Sequence, residues 1–192
     1  MTSMPDDLPI HAFVDAPAFE RWIEAAGESK GLWLRIAKAA SGIATVTYDE
    51  ALDVALCHGW IDGQKRALDA DWFLQRFAPR RARSLWSRRN VDKVAALTAA
   101  GRMRPAGQRE VDAAKADGRW DRAYSGPSSR TVPDELAEAL ADSPAAKRVF
   151  DALSSANRYA FCWRVQTAKR AETRKAKARQ FVEMMLRGET LH

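Results

Sequence analysis

Hydrophobic positions along the chain switch between helical and strand spacing, and the switches fall at capping and turn residues. After a polar opening stretch, Met1 to Ala12, the residues Phe19, Trp22 and Ile23 recur at i, i+3 and i+4. Asp15 stands where an N-cap is needed and Pro17 suits a first turn, so a helix is predicted from there to Gly27. Leu32 to Lys38 alternates instead. Leu32, Leu34 and Ile36 share one face of a predicted strand, with Trp33 and Arg35 on the other. After a Ser41-Gly42 turn, Thr47-Tyr48-Asp49-Glu50 has the form of a capping box. It opens a helix through Leu52, Val54, Ala55 and Leu56 that Gly59 stops. Trp60 to Ala67 and Trp72 to Phe77 read as a hairpin joined by Asp69-Ala70-Asp71. With Leu32 to Lys38 they predict a small antiparallel sheet.

Pro79 interrupts this pattern, and an arginine-rich loop runs to Asn90, read as the cap of a helix from Val91 to Ala100. Pro105 opens a further helix to Asp117, closed by Gly118. Ser125 to Arg130, SGPSSR, reads as a linker. Helices then start at Pro133, at Ser143-Pro144, at Ser154 or Ser155, and near Ala171. The last carries Phe181, Val182, Met185 and Leu186 and stops at Gly188. The fold class is α+β, helix-dominated, with the small sheet in the N-terminal part and an all-helical C-terminal third. Two domains are expected: residues 1–125, α+β with the arginine-rich loop, and residues 131–192, helical and packed on the first.

Composition narrows the class. Over 192 residues, 46% are hydrophobic and 29% charged, which excludes a collagen-like, disulfide-scaffold or wholly disordered chain. There is no apolar run of about 18 residues, so no transmembrane segment is expected. The opening stretch has neither a basic n-region nor an apolar h-region, so a cytoplasmic location is expected. Cys57 and Cys162 then read as reduced core thiols. The net charge of +6 is unevenly spread: Arg76 to Lys93 carries +6, Arg164 to Arg187 another +6, and the remainder −6. Two basic segments on a slightly acidic body attract anions, or pair with the acids elsewhere.

Three stretches carry the candidate chemistry. In C-H-G-W-I-D-G-Q-K, Cys57 to Lys65, two glycines flank Trp60-Ile61-Asp62. Asp62 is a candidate base or an arginine anchor, and the alternative is a helix stop followed by a core tryptophan. Cys57 and His58, neighbours on a helix, point about 100° apart, which argues against a thiol–imidazole pair. In Gln75 to Asn90 every cation is arginine, whose planar fork binds carboxylates and phosphates bidentately. Phe77 and Trp86 are candidate stacking rings there, with Ser84 and Ser87 as hydroxyl donors. The alternative is pairing of these arginines with Asp62, Asp69, Asp71 and the N-terminal acids, locking loop to sheet. In Thr167 to Gln180 the cations crowd the start of a helix, the unfavourable end of its dipole, and call for an anionic neighbour. His11, His58 and His192 have no zinc-like spacing, and no P-loop or dinucleotide fingerprint is present.

On these stretches the chain resembles the YdeI/OmpD-associated family of bacterial proteins, also called bacteriocin-protection proteins. The strings are T-Y-D-E-A (Thr47 to Ala51), C-H-G-W-I-D-G-Q, Q-R-F-A-P-R-R, S-L-W-S-R-R-N, A-A-G-R-M-R-P-A-G and A-K-A-D-G-R-W-D. The C-terminal P-D-E-L-A-E-A-L to A-K-R-A-E-T-R looks like the family's small helical domain. The resemblance implies tolerance of bacteriocins, antimicrobial peptides and envelope stress, and a link to a porin. It brings no catalytic residue, metal or cofactor.

The expected function is therefore a stress-tolerance protein, leaning non-enzymatic, that binds a small anion or an acidic protein surface. The candidate ligand-binding residues are Trp60, Asp62, Gln64, Lys65, Arg76, Arg80, Arg81, Ser84, Trp86 and Ser87, joined because the loop after Phe77 returns beside Trp60 if the hairpin forms. A second basic surface comprises Lys169, Arg170, Arg174 and Lys175. Nucleic-acid binding, with Trp86 stacking, is the alternative, and an enzyme on a small anionic substrate, with Asp62 as base, the third.

Overall fold

In the computed structural model, which describes residues 8–126 and 131–191, the chain divides into two compact units. The first comprises the described residues up to Ser84 together with Asp92–Asp117. The second comprises Leu85–Val91 and the chain from Gly118 on. The second unit thus includes Leu85–Val91 and 118–124, which precede the predicted linker, four of whose residues, 127–130, lie outside the described ones.

The first unit runs β1 (Ile10–His11), α1 (Ala16–Ala25), β2 (Leu32–Ala37), α2 (Tyr48–Cys57), β3 (Trp60–Ala67), β4 (Trp72–Pro79), most of α3 (Arg88–Ala99), and α4 (Pro105–Ala116). Local chemistry starts the helices as predicted. Asp15 accepts from Ala18 N at 2.8 Å, and the Thr47–Glu50 capping box closes in both directions. The strand order is β1-β2-β4-β3. The sheet is mixed rather than purely antiparallel, because β1 runs parallel to β2, Ile10 opposite Trp33. A two-residue strand has no periodicity to read, so the polar opening stretch concealed it. Leu32, Leu34 and Ile36 stand opposite Phe77, Gln75 and Phe73 on the core face, where Phe19 of α1 packs 5.6 Å from Phe77.

Helix α3 starts at Arg88, not after Asn90. Ser87 supplies the cap: its Oγ accepts from Asn90 N at 3.2 Å and its carbonyl from Val91 N at 3.0 Å. Asn90 is instead buried in the first turn. Both residue types cap well, and the one three positions before a free first-turn N–H takes the role.

The second unit holds α5 (Asp134–Ala141), α6 (Pro144–Ala152), α7 (Ser155–Gln166) and α8 (Ala171–Leu186). Ser143 and Ser154 cap α6 and α7. Leu136, Leu140, Phe150, Phe161, Val165, Phe181 and Met185 form its core, with Phe161 edge-on to Phe181 at 5.0 Å. Leu186, predicted on the apolar stripe of α8, is instead exposed. The chain around residues 86–88 and 120–124 also belongs here. Tyr124 N donates to Trp86 O at 2.9 Å, Arg88 N donates to Tyr124 O at 2.8 Å, and Trp120 packs edge-on to Trp86 at 4.9 Å. Gln166 clamps Ser125, accepting from its N–H and donating to its carbonyl, both at 3.1 Å.

One close approach in the first unit decides the sign of a mutation. Gly107 in α4 lies against the end of α2, so that a Cβ there would collide with the carbonyl oxygens of Cys57 and Leu56. Inside a helix, alanine normally stabilises by about 1 kcal/mol over glycine. Here the collision with backbone outweighs that gain, and Gly107→Ala is expected to destabilise by about 1–3 kcal/mol, read as a lower urea midpoint.

Candidate functional site

The β3–β4 hairpin is built around one extra residue. Trp60, Ile61 and Asp62 pair with Pro79, Ala78 and Phe77, but beyond a bulge Lys65, Arg66 and Ala67 pair with Gln75, Leu74 and Phe73. Gly63 and Gln64 together therefore oppose Arg76. The carbonyls this displaces are not left without donors. Buried Gln75 reaches across with its amide, donating to Gly63 O at 2.9 Å and Gln64 O at 3.2 Å. The start of the strand is held from α2, where the Tyr48 phenol donates to Asp62 Oδ2 at 2.7 Å. Trp60 is buried, edge-on to Trp22 at 5.9 Å.

The bulge has a consequence for charge. Side chains directly opposite in an antiparallel ladder share a face. With the shifted register, Arg66 falls opposite Leu74, which is opposite Arg35, while Arg76 is opposite Trp33. Three arginines therefore occupy the sheet face away from α1. Two of them stack on tryptophans: Arg35 lies 4.3 Å from the Trp72 ring centroid and Arg66 lies 4.6 Å from that of Trp33. Trp33 is 1% exposed and Leu74 is buried. The strand residues on this face include no acid. Lys65 takes the opposite face, its Nζ 4.2 Å from the Phe73 centroid.

The hairpin brings most of the predicted ligand-binding residues onto two strands and the turn beyond them. Gln64, Lys65 and Arg81 are exposed, and Asp62, Arg76 and Ser84 are half-buried. The loop does return beside Trp60, since Arg80 N donates to Gly59 O at 3.0 Å, but Trp60 and Arg80 are both buried. Trp86 and Ser87 belong to the second unit, where Ser87 is the α3 cap. Phe77 at 0% and Trp86 at 1% exposure are core rings, so neither presents a stacking face to solvent. Arg35, Arg66 and Trp72 were absent from the sequence-based set. The available signal was the alternation that put Trp33 and Arg35 opposite the apolar face of β2.

In the second unit, one cation early in α8, Arg174, meets an acid from another helix. Arg174 Nε donates to Glu135 of α5 at 2.5 Å, and the same guanidinium donates to Ala168 O at 3.3 Å. Burial pushes the Glu135 carboxyl up, but the Arg174 hydrogen bond and charge hold it below the ordinary carboxylate range. Arg174 is thus structural, while Lys169, Arg170 and Lys175 are exposed.

Glu20 and Glu24 of α1 and His58, the C-cap of α2, bring their ligand-capable atoms within 4.8 Å of one another. A cation already serves this cluster: Arg104 Nη2 is 3.0 Å from Glu20 Oε1, which also meets His58 Nε2 at 3.1 Å. The His58 hydrogen bond first, and Arg104 with it, lower the Glu20 pKa despite partial burial.

These features define a two-unit protein: an α+β unit with a basic arginine–tryptophan sheet face, and an all-helical unit. Among the described residues no helix is long and apolar enough to cross a membrane. Residues 11–110 match the model of a domain of unknown function (DUF8412), and residues 129–188 match that of the bacteriocin-protection, YdeI or OmpD-associated family. The chain belongs to the first of these families, whose model covers more than half of it, and its C-terminal region matches the model of the bacteriocin-protection, YdeI or OmpD-associated family. The strings from Thr47 to Gly107 fall within the first match, so the resemblance drawn from them divides between two models. No curated protein and no solved structure matches the chain.

Two predictions follow from these contacts. Tyr48→Phe removes the donor to a half-buried carboxylate and should cost about 1–3 kcal/mol in urea unfolding. Because the folded pKa of Glu20 is depressed, its stabilising contribution is present above the ordinary carboxylate range and is lost as pH falls through the lowered value. In His58→Ala the fall in urea midpoint on acidification from pH ~6 to ~3 should accordingly be shallower than in the wild type.

Proposed function

We propose that the chain is a tolerance protein of the bacteriocin-protection type that works by binding rather than by catalysis, taking a small anion or an acidic protein surface on its basic sheet face. The observation that carries this is the placement of Arg35, Arg66 and Arg76 on one sheet face whose described strand residues include no acid. Two of these guanidinium planes rest on tryptophan rings. Stacking holds a guanidinium by its flat face while its N–H donors lie in the plane, a geometry that suits bidentate recognition of carboxylate or phosphate. Gln64 and Arg81, both exposed, lie in the bulge and in the turn beyond the same hairpin. The tolerance role is supported by the family description matched by residues 129–188.

The test is fluorescence anisotropy of the full chain with a labelled acidic peptide, and with labelled single- and double-stranded DNA and RNA, at about 50 and about 200 mM salt. The acidic peptide is expected to bind at the lower salt. Arg35→Ala, an exposed position, should weaken it about tenfold, the size expected of one lost charge-assisted pair. Nucleic-acid binding that falls about 10³-fold or more across the salt range would replace this reading with the nucleic-acid one. Absence of binding to every probe at the lower salt overturns both.

A further inference from the structure

The helical unit contains a cavity of about 290 Å³ that none of the charge patterns above involves. Its apolar lining comes from Val132, Phe150, Cys162 and the ring of Tyr159. Burial raises the pKa of both the Cys162 thiol and the Tyr159 phenol, so both groups face the cavity in their neutral forms. One wall is fixed by the clamp of Gln166 on Ser125, so the cavity is framed by hydrogen bonds. At roughly 30 Å³ per water-sized volume, the space accommodates about ten such volumes, the small end of ligand pockets.

The mouth carries one uncompensated sign. Arg158, exposed on α7, and the Ser155 hydroxyl line it. Asp151 lies on the same rim but is held by Lys147 at 2.7 Å, one turn earlier on α6. Arg158 also acts on the Cys162 thiol through its charge, opposing the effect of burial.

We infer that this cavity is a binding site for a small monocarboxylate with an apolar tail, the tail lying against Phe150, Val132 and Cys162 and the carboxylate held at the mouth by Arg158 and Ser155. Apolar side chains along one part of the lining, with the Arg158 cation and the Ser155 hydroxyl along another, fix the orientation of such a molecule. A wholly apolar ligand would leave the rim unused, and a dianion would find a single partner.

The probe is octanoate, with octanol as the same tail lacking the charge, titrated into the isotopically labelled full chain and followed by two-dimensional amide NMR. Octanoate should saturate with a dissociation constant of about 0.1–1 mM, the range for ten heavy atoms. Its shifts should concentrate on α7 and residues 125–126, and octanol should bind at least tenfold more weakly. Arg158→Ala should bring octanoate down to the octanol value. In an independent reading without mutation, octanoate should slow alkylation of Cys162 while leaving Cys57, in the other unit, unchanged. Failure of octanoate to saturate, equal affinity for octanol, an Arg158→Ala variant that binds as the wild type, or unprotected Cys162 would each overturn the inference.

Discussion

Strand β4 is hydrogen-bonded on both sides, and its register is the constraint on which the N-terminal unit depends. Because side chains alternate with a period of two, one register decides both faces at once. Against β2 it lays Phe77, Gln75 and Phe73 beside Leu32, Leu34 and Ile36, beneath α1. The same pairing sends Arg76, Leu74 and Trp72 to the other side. A slip by one residue would drive Arg76 into the core and expose Phe77. The desolvation of an arginine side chain makes that alternative costly, so the apolar face and the basic face specify each other.

The bulge in β3 modifies this rule for half a strand only. Before it, Trp60 and Asp62 follow the core face; after it, the extra residue exchanges the faces, so that Arg66 rather than Lys65 joins Arg35 and Arg76. Gly63 and Gln75 are its local requirements. The glycine lies in ordinary contact with the Arg76 stem, and Gln75 donates to both displaced carbonyls. The W-I-D-G-Q string thus has a structural account in each letter that carries a role. Tryptophan packs, aspartate accepts from Tyr48, and glycine and glutamine form the bulge.

The parts of this arrangement visible in the sequence are those set by neighbours along the chain. Asp15, the Thr47–Glu50 box, Ser143 and Ser154 act within three or four residues, and the helices begin where they predict. Asn90 misled because Ser87, three residues earlier, offers the same chemistry at the better position. Strand β1 was illegible because two residues carry no period. The basic sheet face was only half legible: alternation along β2 separates Arg35 from the core, but nothing local announces that Arg66 will cross β4 to Trp33. Within the arginine-rich stretch, composition alone does not distinguish Arg80, which is buried, from Arg81, which is exposed.

Arginine on this face reconciles two demands that lysine would set against each other. Trp33 and Leu74 lie on the sheet face away from Phe19, and both are buried. Arg66 covers Trp33 with the flat of its guanidinium, worth about 0.5–1 kcal/mol at an exposed site. Recognition of an anion uses the edge of the same group, where its N–H donors lie in the plane. An anion can therefore be bound without uncovering the indole, and the side-chain ordering that binding requires has already been met by stacking. An ammonium has no separate face and edge: its donors and its charge share one point, and holding an anion would draw it away from the ring. The stacked geometry thus makes the folded face and the proposed binding face one and the same.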